Sequence, residues 1–338
     1  MAQVRVMPFD RTFTCEEGQS ILHAALGQGY FLRYGCKKGG CGTCRAMVVD
    51  GDVEDGSSTF ALPTSERNQG WILVCSTRAL GDCVLDISSM ELTEEEFLAG
   101  DQIEMWETTL VRRELLTPTI YGLTLRVDDP PAIRFVAGQF VNVEIPGTST
   151  VRSFSFANTP RNDGEIELLV RLIPGGCFGE YLGDRAAIGD RVRVFGPLGK
   201  LRMRPTYRKI VMVAGGTGLA PILSMLGELA DKGSDREVVC FVGARTCSEL
   251  YHLDRLEALR SSLPGLEVFP VVENAENGWR GERGRVTEAI PRVRDSLKGY
   301  DAYICGPGPM VDAARDMVVE LGVRDRNVYF DAFLPTGG

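Results

Sequence analysis

Three cysteines within nine residues constrain this chain more than any other feature. The run Cys36-Lys37-Lys38-Gly39-Gly40-Cys41-Gly42-Thr43-Cys44 places them in one glycine-rich loop, and thirty residues separate Cys44 from a fourth, Cys75. The C-x4-C-x2-C…C spacing is that of a two-iron, two-sulfide centre held by four thiolates. One loop has to wrap such a centre closely, and Gly35, Gly39, Gly40 and Gly42 let the backbone do so at little steric cost. Amide N–H groups of that loop can then point at sulfur and tune its potential. Zinc also takes four cysteines, usually as two short paired knuckles. Here the fourth cysteine stands alone, which favours iron and sulfide over zinc, with Cys36, Cys41, Cys44 and Cys75 as the metal ligands.

The remaining cysteines say where modules begin. Six of ten lie in the first 83 residues, and Cys177, Cys240, Cys247 and Cys305 scatter over the rest, so the N-terminal part reads as a separate module. A chain of 338 residues suits two or three domains. Forty-six acids against 37 bases leave a net charge of −9, the wrong sign for a general nucleic-acid binder. The longest apolar runs, such as Ile210–Ala214, are too short to span a bilayer. No apolar leader precedes them, so a cytoplasmic location is expected, where cysteines serve as thiols or metal ligands more often than as disulfides.

The pattern changes twice along the chain. Residues 1–90 mix short strands with glycine turns and one helix over Ser20–Leu26. The acidic stretch Glu91–Glu96, in which Thr93 and Glu96 are spaced for a capping box, opens an expected linker over 91–104. Residues 105–205 are strand-rich, with candidates at Thr109–Val111, Gly122–Val127, Phe140–Ile145, Ile166–Leu172 and Arg191–Phe195, which predicts an antiparallel barrel or sandwich. Over 206–338, buried strands at Ile210–Ala214, Val238–Val242, Glu267–Val272 and Ala302–Cys305 alternate with helices at Pro221–Lys232, Glu249–Ser262 and Met310–Leu321. That alternation predicts a parallel sheet covered by helices.

Several local motifs fall at the joints of this scheme. Gly138-Gln139-Phe140 and then Arg152-Ser153-Phe154-Ser155 mark barrel strands. Pro174-Gly175-Gly176-Cys177-Phe178-Gly179 and Gly196-Pro197-Leu198-Gly199 mark turns. Val211 to Pro221, containing Gly215-Gly216-Thr217-Gly218, runs from a buried strand through a glycine loop into a helix. That arrangement lets backbone and helix N-terminus approach a pyrophosphate. Cys305-Gly306-Pro307-Gly308-Pro309-Met310 and Phe330-Asp331-Ala332-Phe333 close two later strands.

As a set these motifs resemble a plant-type ferredoxin domain fused to a ferredoxin–NADP reductase-like module. In this order they are similar to reductase components of bacterial multicomponent oxygenases, of the benzoate dioxygenase, phenol hydroxylase and methane monooxygenase reductase type. The resemblance implies a multidomain α+β and α/β chain: an N-terminal β-grasp 2Fe-2S ferredoxin domain, an antiparallel β-barrel FAD domain and a C-terminal parallel α/β nicotinamide-binding domain. It implies that Arg152 pairs with the flavin pyrophosphate, that Phe154 stacks on the ring in place of the family's Tyr, and that Ser155 bonds near the hydride acceptor. Further flavin contacts are implied at Ser153, Val170, Gly175, Gly176, Cys177 and Phe178, with Gly179 where relatives carry Ser or Thr. Nicotinamide contacts are implied at Gly215, Gly216, Thr217, Gly218, Gly306, Pro307 and Met310. Catalytic positions would be Ser155, Thr217, Cys305 and Phe333, with Phe333 covering the flavin. Arg245 follows the second strand as a lone base, and NADH is expected over NADPH.

The implied activity is an NADH-dependent iron-sulfur flavoprotein oxidoreductase. It would pass electrons from NADH through FAD and the 2Fe-2S cluster to an oxygenase or hydroxylase component, directly or through a separate ferredoxin. The oxygenase would hydroxylate an aromatic or hydrocarbon substrate. A deoxysugar-pathway reductase of the same architecture and a redox subunit without turnover are the alternatives. An isolated chain is expected to be monomeric. Arg33, Lys37, Lys38 and Arg45 surround the cluster cysteines and could steer an acidic partner.

Overall fold

A computed structural model describes residues 1–37, 39–56, 61–98, 104–128, 133–148, 150–161 and 163–333. Lys38 and the tail 334–338 lie outside the described residues. Packing divides the chain into Met1–Glu104 and Met105–Gly338.

The first unit is a five-stranded mixed sheet. Its elements are β1 (Ala2–Met7), β2 (Arg11–Cys15), α1 (Ile21–Gly27), β3 (Arg45–Asp50), β4 (Trp71–Leu73) and β5 (Cys83–Asp86), with sheet order β2-β1-β5-β3-β4. Only β1 and β5 run parallel. Strand β1 alternates buried Ala2, Val4 and Val6 with exposed Gln3 and Arg5, the period-2 pattern of a sheet with one face in the core. Helix α1 starts where Ser20 Oγ accepts the His23 N–H at 3.3 Å, and it buries Ile21, Leu22, Ala24 and Ala25. Cys15 and Cys83 sit in this core as buried thiols. The whole is a β-grasp, with the Cys36–Cys44 loop between α1 and β3.

The acidic stretch after residue 90 is not a free tether. Thr93 and Glu96 form the reciprocal capping box, at 2.8 and 3.2 Å, opening a helix over Glu94–Leu98. Phe97 is fully buried between Phe9 and Tyr30, with ring centroids 5.0 and 5.2 Å away, and its carbonyl accepts the Phe31 N–H at 2.8 Å. Packing therefore ties residues 91–98 to the first unit. Residues 99–103 lie outside the described residues.

The second unit begins with a barrel of β6 (Glu104–Thr117), β7 (Ile120–Val127), β8 (Phe140–Glu144), β9 (Val151–Ser155), β10 (Glu165–Arg171) and β11 (Arg191–Leu198), in the order β9-β8-β11-β6-β7-β10. A bridge between Phe156 and Leu168 joins the two ends of that order and closes the barrel, removing its edges. Strand β6 is far longer than the three residues expected at Thr109–Val111. Register shifts at Leu110/Arg112 and Leu115/Thr117 bend it around the barrel. The interior is filled by Leu110, Leu125, Val141, Val143, Phe156, Ile166, Leu168 and Val194.

The chain then builds a parallel sheet from β12 (Lys209–Gly215), α2 (Leu219–Asp231), β13 (Val238–Ala244), α3 (Leu253–Arg260), β14 (Leu266–Val272), β15 (Glu282–Arg283), α4 (Val286–Val293), β16 (Tyr300–Pro307), α5 (Gly308–Glu320) and β17 (Val328–Phe333). Its order is β15-β14-β13-β12-β16-β17 and every pairing is parallel. Covered on both faces, β12 and β16 read as nearly continuous apolar runs. The order reverses between β12 and β16, so their carboxyl ends flank the crevice where such sheets take ligands. Helix α4 and strands β15 and β17 were not among the elements expected from sequence.

Candidate functional site

The Cys36–Cys44 loop turns on three left-handed residues, Lys37 (φ 56°), Gly39 (φ 74°) and Gly42 (φ 66°). The turns aim backbone N–H groups at sulfur. Cys36 N–H lies 3.4 Å from Cys41 Sγ and Gly40 N–H lies 3.3 Å from Cys36 Sγ. Cys75 arrives from the segment after β4 and is hydrogen-bonded to Cys44. That bond lowers the Cys75 thiol pKa, helped by a backbone bond at Gly39, while the same bond and burial push Cys44 well up. Cys36 acts electrostatically on Cys75 and Cys41 on Cys44, so all four sulfurs belong to one neighbourhood. Among the described residues no three His, Cys, Asp or Glu side chains gather around a single metal ion. A two-iron centre spreads its four thiolates over two irons, and N–H groups directed at sulfur are what anionic ligands need. The donor set fits a 2Fe-2S cluster.

The cations around this loop are largely spent locally. Arg45 pairs with Glu66 at 2.6 Å and lies over Trp71. Arg33 bonds the Glu91 carbonyl and faces Glu96 at 3.9 Å. Lys37 lies 4.5 Å from the Tyr34 ring centroid. The basic patch expected from sequence therefore keeps less free charge than its composition implies.

On β9, residues two apart share a face. Arg152 and Phe154 form one face, and the turn at Gly175–Phe178 packs against it. Arg152 Nη2 lies 3.4 Å from Cys177 Sγ and Phe154 meets Phe178 edge-on, with centroids 4.8 Å apart. Ser153 and Ser155 take the other face. Ser153 Oγ donates to Asn142 at 2.7 Å and Ser155 is buried. Two arginines of strand β11 are ion-paired, Arg191 with Asp128 and Arg193 with Glu144. Among the described residues Arg152 meets the Val151 carbonyl and Cys177 but no carboxylate, which suits a flavin diphosphate. Two expectations need correction. The Val170 side chain fills the barrel core, so only its backbone can face a cofactor. The Gly176 N–H is already donated to the Ile173 carbonyl at 2.8 Å and is not free for phosphate.

The glycine loop after β12 sits at the switch point. A Cβ at Gly218 would overlap the Cys305 carbonyl, and one at Gly215 would overlap Met310 Sδ. Gly218 is therefore demanded by packing against the Cys305 backbone, whereas Gly215 faces the end of the flexible Met310 side chain. Gly216 is different. It is left-handed (φ 55°), its carbonyl accepts Tyr251 Oη–H at 2.9 Å, and a Cβ there would meet the Arg171 guanidinium at 2.6 Å. Arg171 ends β10, so the barrel lays a cation over the dinucleotide loop, and among the described residues no carboxylate is paired with it. Thr217 beside it is half-buried. Cys305 is fully buried, and burial, then Asp331, pushes its thiol well up. Cys305 is therefore not an exposed reacting group. Gly306 approaches Gly215 (φ 148°, a Cβ would lie 2.9 Å from the Gly215 carbonyl), Pro307 is exposed, and Phe333 pairs in register with Pro307 at the same sheet edge. Arg245 is held in a fork by Glu249, with bonds of 2.6 and 3.1 Å. Burial raises the Glu249 pKa, but Arg245 outweighs it and holds the carboxyl below its usual range.

Residues 4–80 match the 2Fe-2S iron-sulfur cluster binding domain, 107–203 the oxidoreductase FAD-binding domain and 212–316 the oxidoreductase NAD-binding domain. The chain is 33% identical to the propane 2-monooxygenase reductase component of Mycolicibacterium goodii, across 98% of this chain and 97% of that one. The chain belongs to the reductase components of multicomponent oxygenases. The reductase is also 34% identical to the phenol 2-monooxygenase reductase component DmpP of Pseudomonas sp. over 98% of its own length and 94% of that relative. The ferredoxin reductase of carbazole 1,9a-dioxygenase superposes with a TM-score of 0.71 at 28% identity, covering 98% of both chains. It is thus an iron-sulfur flavoprotein oxidoreductase using FAD and a nicotinamide cofactor and passing electrons to an oxygenase component. Among the described residues no helix is long and apolar enough to cross a membrane.

Sequence reasoning missed Arg171, Glu249 and Tyr251. Arg171 is an ordinary base at a strand end, and its role comes from a sheet 45 residues further on. Glu249 carried a signal, four residues after Arg245, the spacing at which opposite charges meet in a helical turn.

Proposed function

We propose that the reductase oxidises NADH and delivers electrons through its cluster to an oxygenase or hydroxylase component acting on an aromatic or hydrocarbon substrate, directly or through a separate ferredoxin. The observation that carries this reading is the barrel's Arg171 lying over Gly216, which unites the flavin-side and nicotinamide-side residues in one site. When bound, the cofactors supply the redox chemistry, a hydride's two electrons entering at the flavin and leaving singly through the two-iron centre.

The chain's residues bind and orient. Arg152 holds the flavin diphosphate, Phe154 and Phe178 border the ring, and Gly175 and Cys177 form the turn beside it. Ser155 offers a hydroxyl from a buried strand position. Arg171 and the Gly215–Gly218 loop receive the pyrophosphate of the dinucleotide, with Thr217, Gly306, Pro307, Met310 and Phe333 bordering its nicotinamide end. Glu249 is anionic and occupies the Arg245 fork, which disfavours a 2′-phosphate and supports NADH. Cys36, Cys41, Cys44 and Cys75 ligate the cluster. None of the ten cysteines is joined in a disulfide, which supports a reducing, cytoplasmic setting, and we take the isolated chain to be monomeric.

The test is a visible spectrum of the anaerobically purified protein before and after one equivalent of NADH. Flavin bleaching followed by loss of iron-sulfur absorbance is expected. Bound flavin that NADH cannot reduce overturns the nicotinamide assignment.

A further inference from the structure

The barrel and the parallel sheet meet along a seam close in sequence to both the Ser155 strand and the Gly215–Gly218 loop. Directly after β9, residues 157–161 lie along α2. Ser224, Gly227 and Asp231 of α2 are spaced three and four apart and so form one stripe. Ser224 Oγ donates to the buried Asn158 carbonyl at 2.7 Å. Asn158 is itself locked, its Nδ2 donating to the Glu165 carbonyl at 2.9 Å and its Oδ1 accepting the Glu167 N–H at 3.0 Å. A Cβ at Gly227 would overlap Thr159 Oγ1 and lie 3.2 Å from Thr159 Cβ. Arg161 grips Asp231 with two bonds, 3.1 and 3.0 Å. From α3, Arg255 reaches the Ala157 carbonyl at 3.0 Å and Glu167 at 2.7 Å.

The lever arms are short. Asn158 is three residues from Ser155. Ser224 lies five residues into α2, about 7.5 Å along the helix from Leu219, and Thr217 stands two residues before that helix begins. Whatever sets the seam sets the approach of the Ser155 strand to the glycine loop. We infer that Ser224 and Gly227 are positioning residues for hydride transfer. By admitting the 157–161 segment at contact distance, they place the flavin-side strand against the Gly215–Gly218 loop. The inference rests on the hydride-transfer reading above, which the wild-type spectrum tests separately.

Gly227→Ala and Gly227→Val widen the seam in steps, and Ser224→Ala removes its buried hydrogen bond without adding bulk. With FAD and cluster bound, anaerobic stopped-flow should show flavin reduction at saturating NADH slowed progressively, on the order of 10²-fold for a misplacement near 1 Å. The Kd for NADH should change by less than about twofold, since only orientation is lost. Two readouts besides rate accompany this. Hydrogen exchange of the 157–161 amides should accelerate, and the long-wavelength charge-transfer absorbance of the NADH complex should fade. Thr159→Gly, placed in the Gly227→Val background, removes the colliding side chain and should restore rate and absorbance. Wild-type rates in Gly227→Val and Ser224→Ala overturn the proposal. So does a slowed Gly227→Val that Thr159→Gly does not rescue, or a loss that appears entirely in NADH affinity.

Discussion

Replacing Asp301 by Ala should destabilise the second unit strongly. Asp301 is 1% exposed and Arg236 9%, with Nη2 to Oδ2 at 3.1 Å. Arg236 also donates to the carbonyls of Arg208 (2.6 Å) and Arg204 (3.4 Å), and Thr206 Oγ donates to Asp301. The hub thereby pins residues 204–208, the connector between barrel and parallel sheet. Asp301→Ala strands a guanidinium in the interior, a loss of about 3–5 kcal/mol. At 2–4 °C per kcal/mol for a body of this size, the unfolding midpoint should fall by about 6–20 °C. The pair itself contributes less than that figure. Asp301 Oδ1 has no hydrogen-bond partner, and Arg208 Nε stands 3.7 Å away, so much of the desolvation cost is uncompensated. Asp301→Leu combined with Arg236→Met should therefore recover most of the loss. A multidomain chain need not unfold in one step, so the assay is flavin fluorescence on heating, which reports the second unit, beside far-UV circular dichroism. An Asp301→Ala midpoint close to wild type would refute the reasoning, because it would mean that Arg236 finds water. A double replacement worse than the single one would refute the desolvation argument.

Three further outcomes are expected. Glu249→Gln should release Arg245 and raise kcat/KM for NADPH about tenfold relative to NADH, or about 1.4 kcal/mol; an unchanged ratio would remove Arg245 from the adenosine site. Gly179→Ser should be tolerated, since the nearest atoms to its Cβ, Ile173 O and Leu172 Cδ2, would lie at an ordinary contact distance of 3.6 Å. Replacing this helical glycine by serine should raise stability by at most about 0.5 kcal/mol, and flavin dissociation should slow, both read from thermal melts and dilution kinetics. Asp190 has its pKa lowered by the Ala187 N–H and the Tyr181 hydroxyl, at 3.0 and 2.7 Å. A lowered folded pKa gives stability that is present above the ordinary carboxylate value and lost as pH falls through the folded one. Tyr181→Phe should thus be less stable than wild type at neutral pH, with the difference shrinking below about pH 4, as measured by urea unfolding across pH.

Legibility in the sequence followed the range of the interaction. The cluster loop could be read because its glycines and cysteines act within nine residues, and its left-handed turns are local. The β12–α2 turn could be read for the same reason, but its cause could not. Gly218 looked like room for a ligand, yet the chain's own Cys305 backbone, 87 residues later, demands it. The basic residues at 33 and 45 looked free because their partners, Glu96 and Glu66, lie 63 and 21 residues away. Phe97 looked like part of a tether because only folding brings Phe9 and Tyr30 to its two sides.

The sequence by itself determined the three-module order and the strand–glycine–helix turn, and it offered the cysteine spacing that proposes a thiolate set, since each depends on spacing along the backbone. Tertiary structure alone decided that no carboxylate among the described residues reaches Arg152 or Arg171, which glycines serve packing, and how α2 seats the segment after Ser155. Those outcomes depend on which surfaces meet. A guanidinium is an anion site or a structural ion pair according to whether a carboxylate from elsewhere in the chain reaches it.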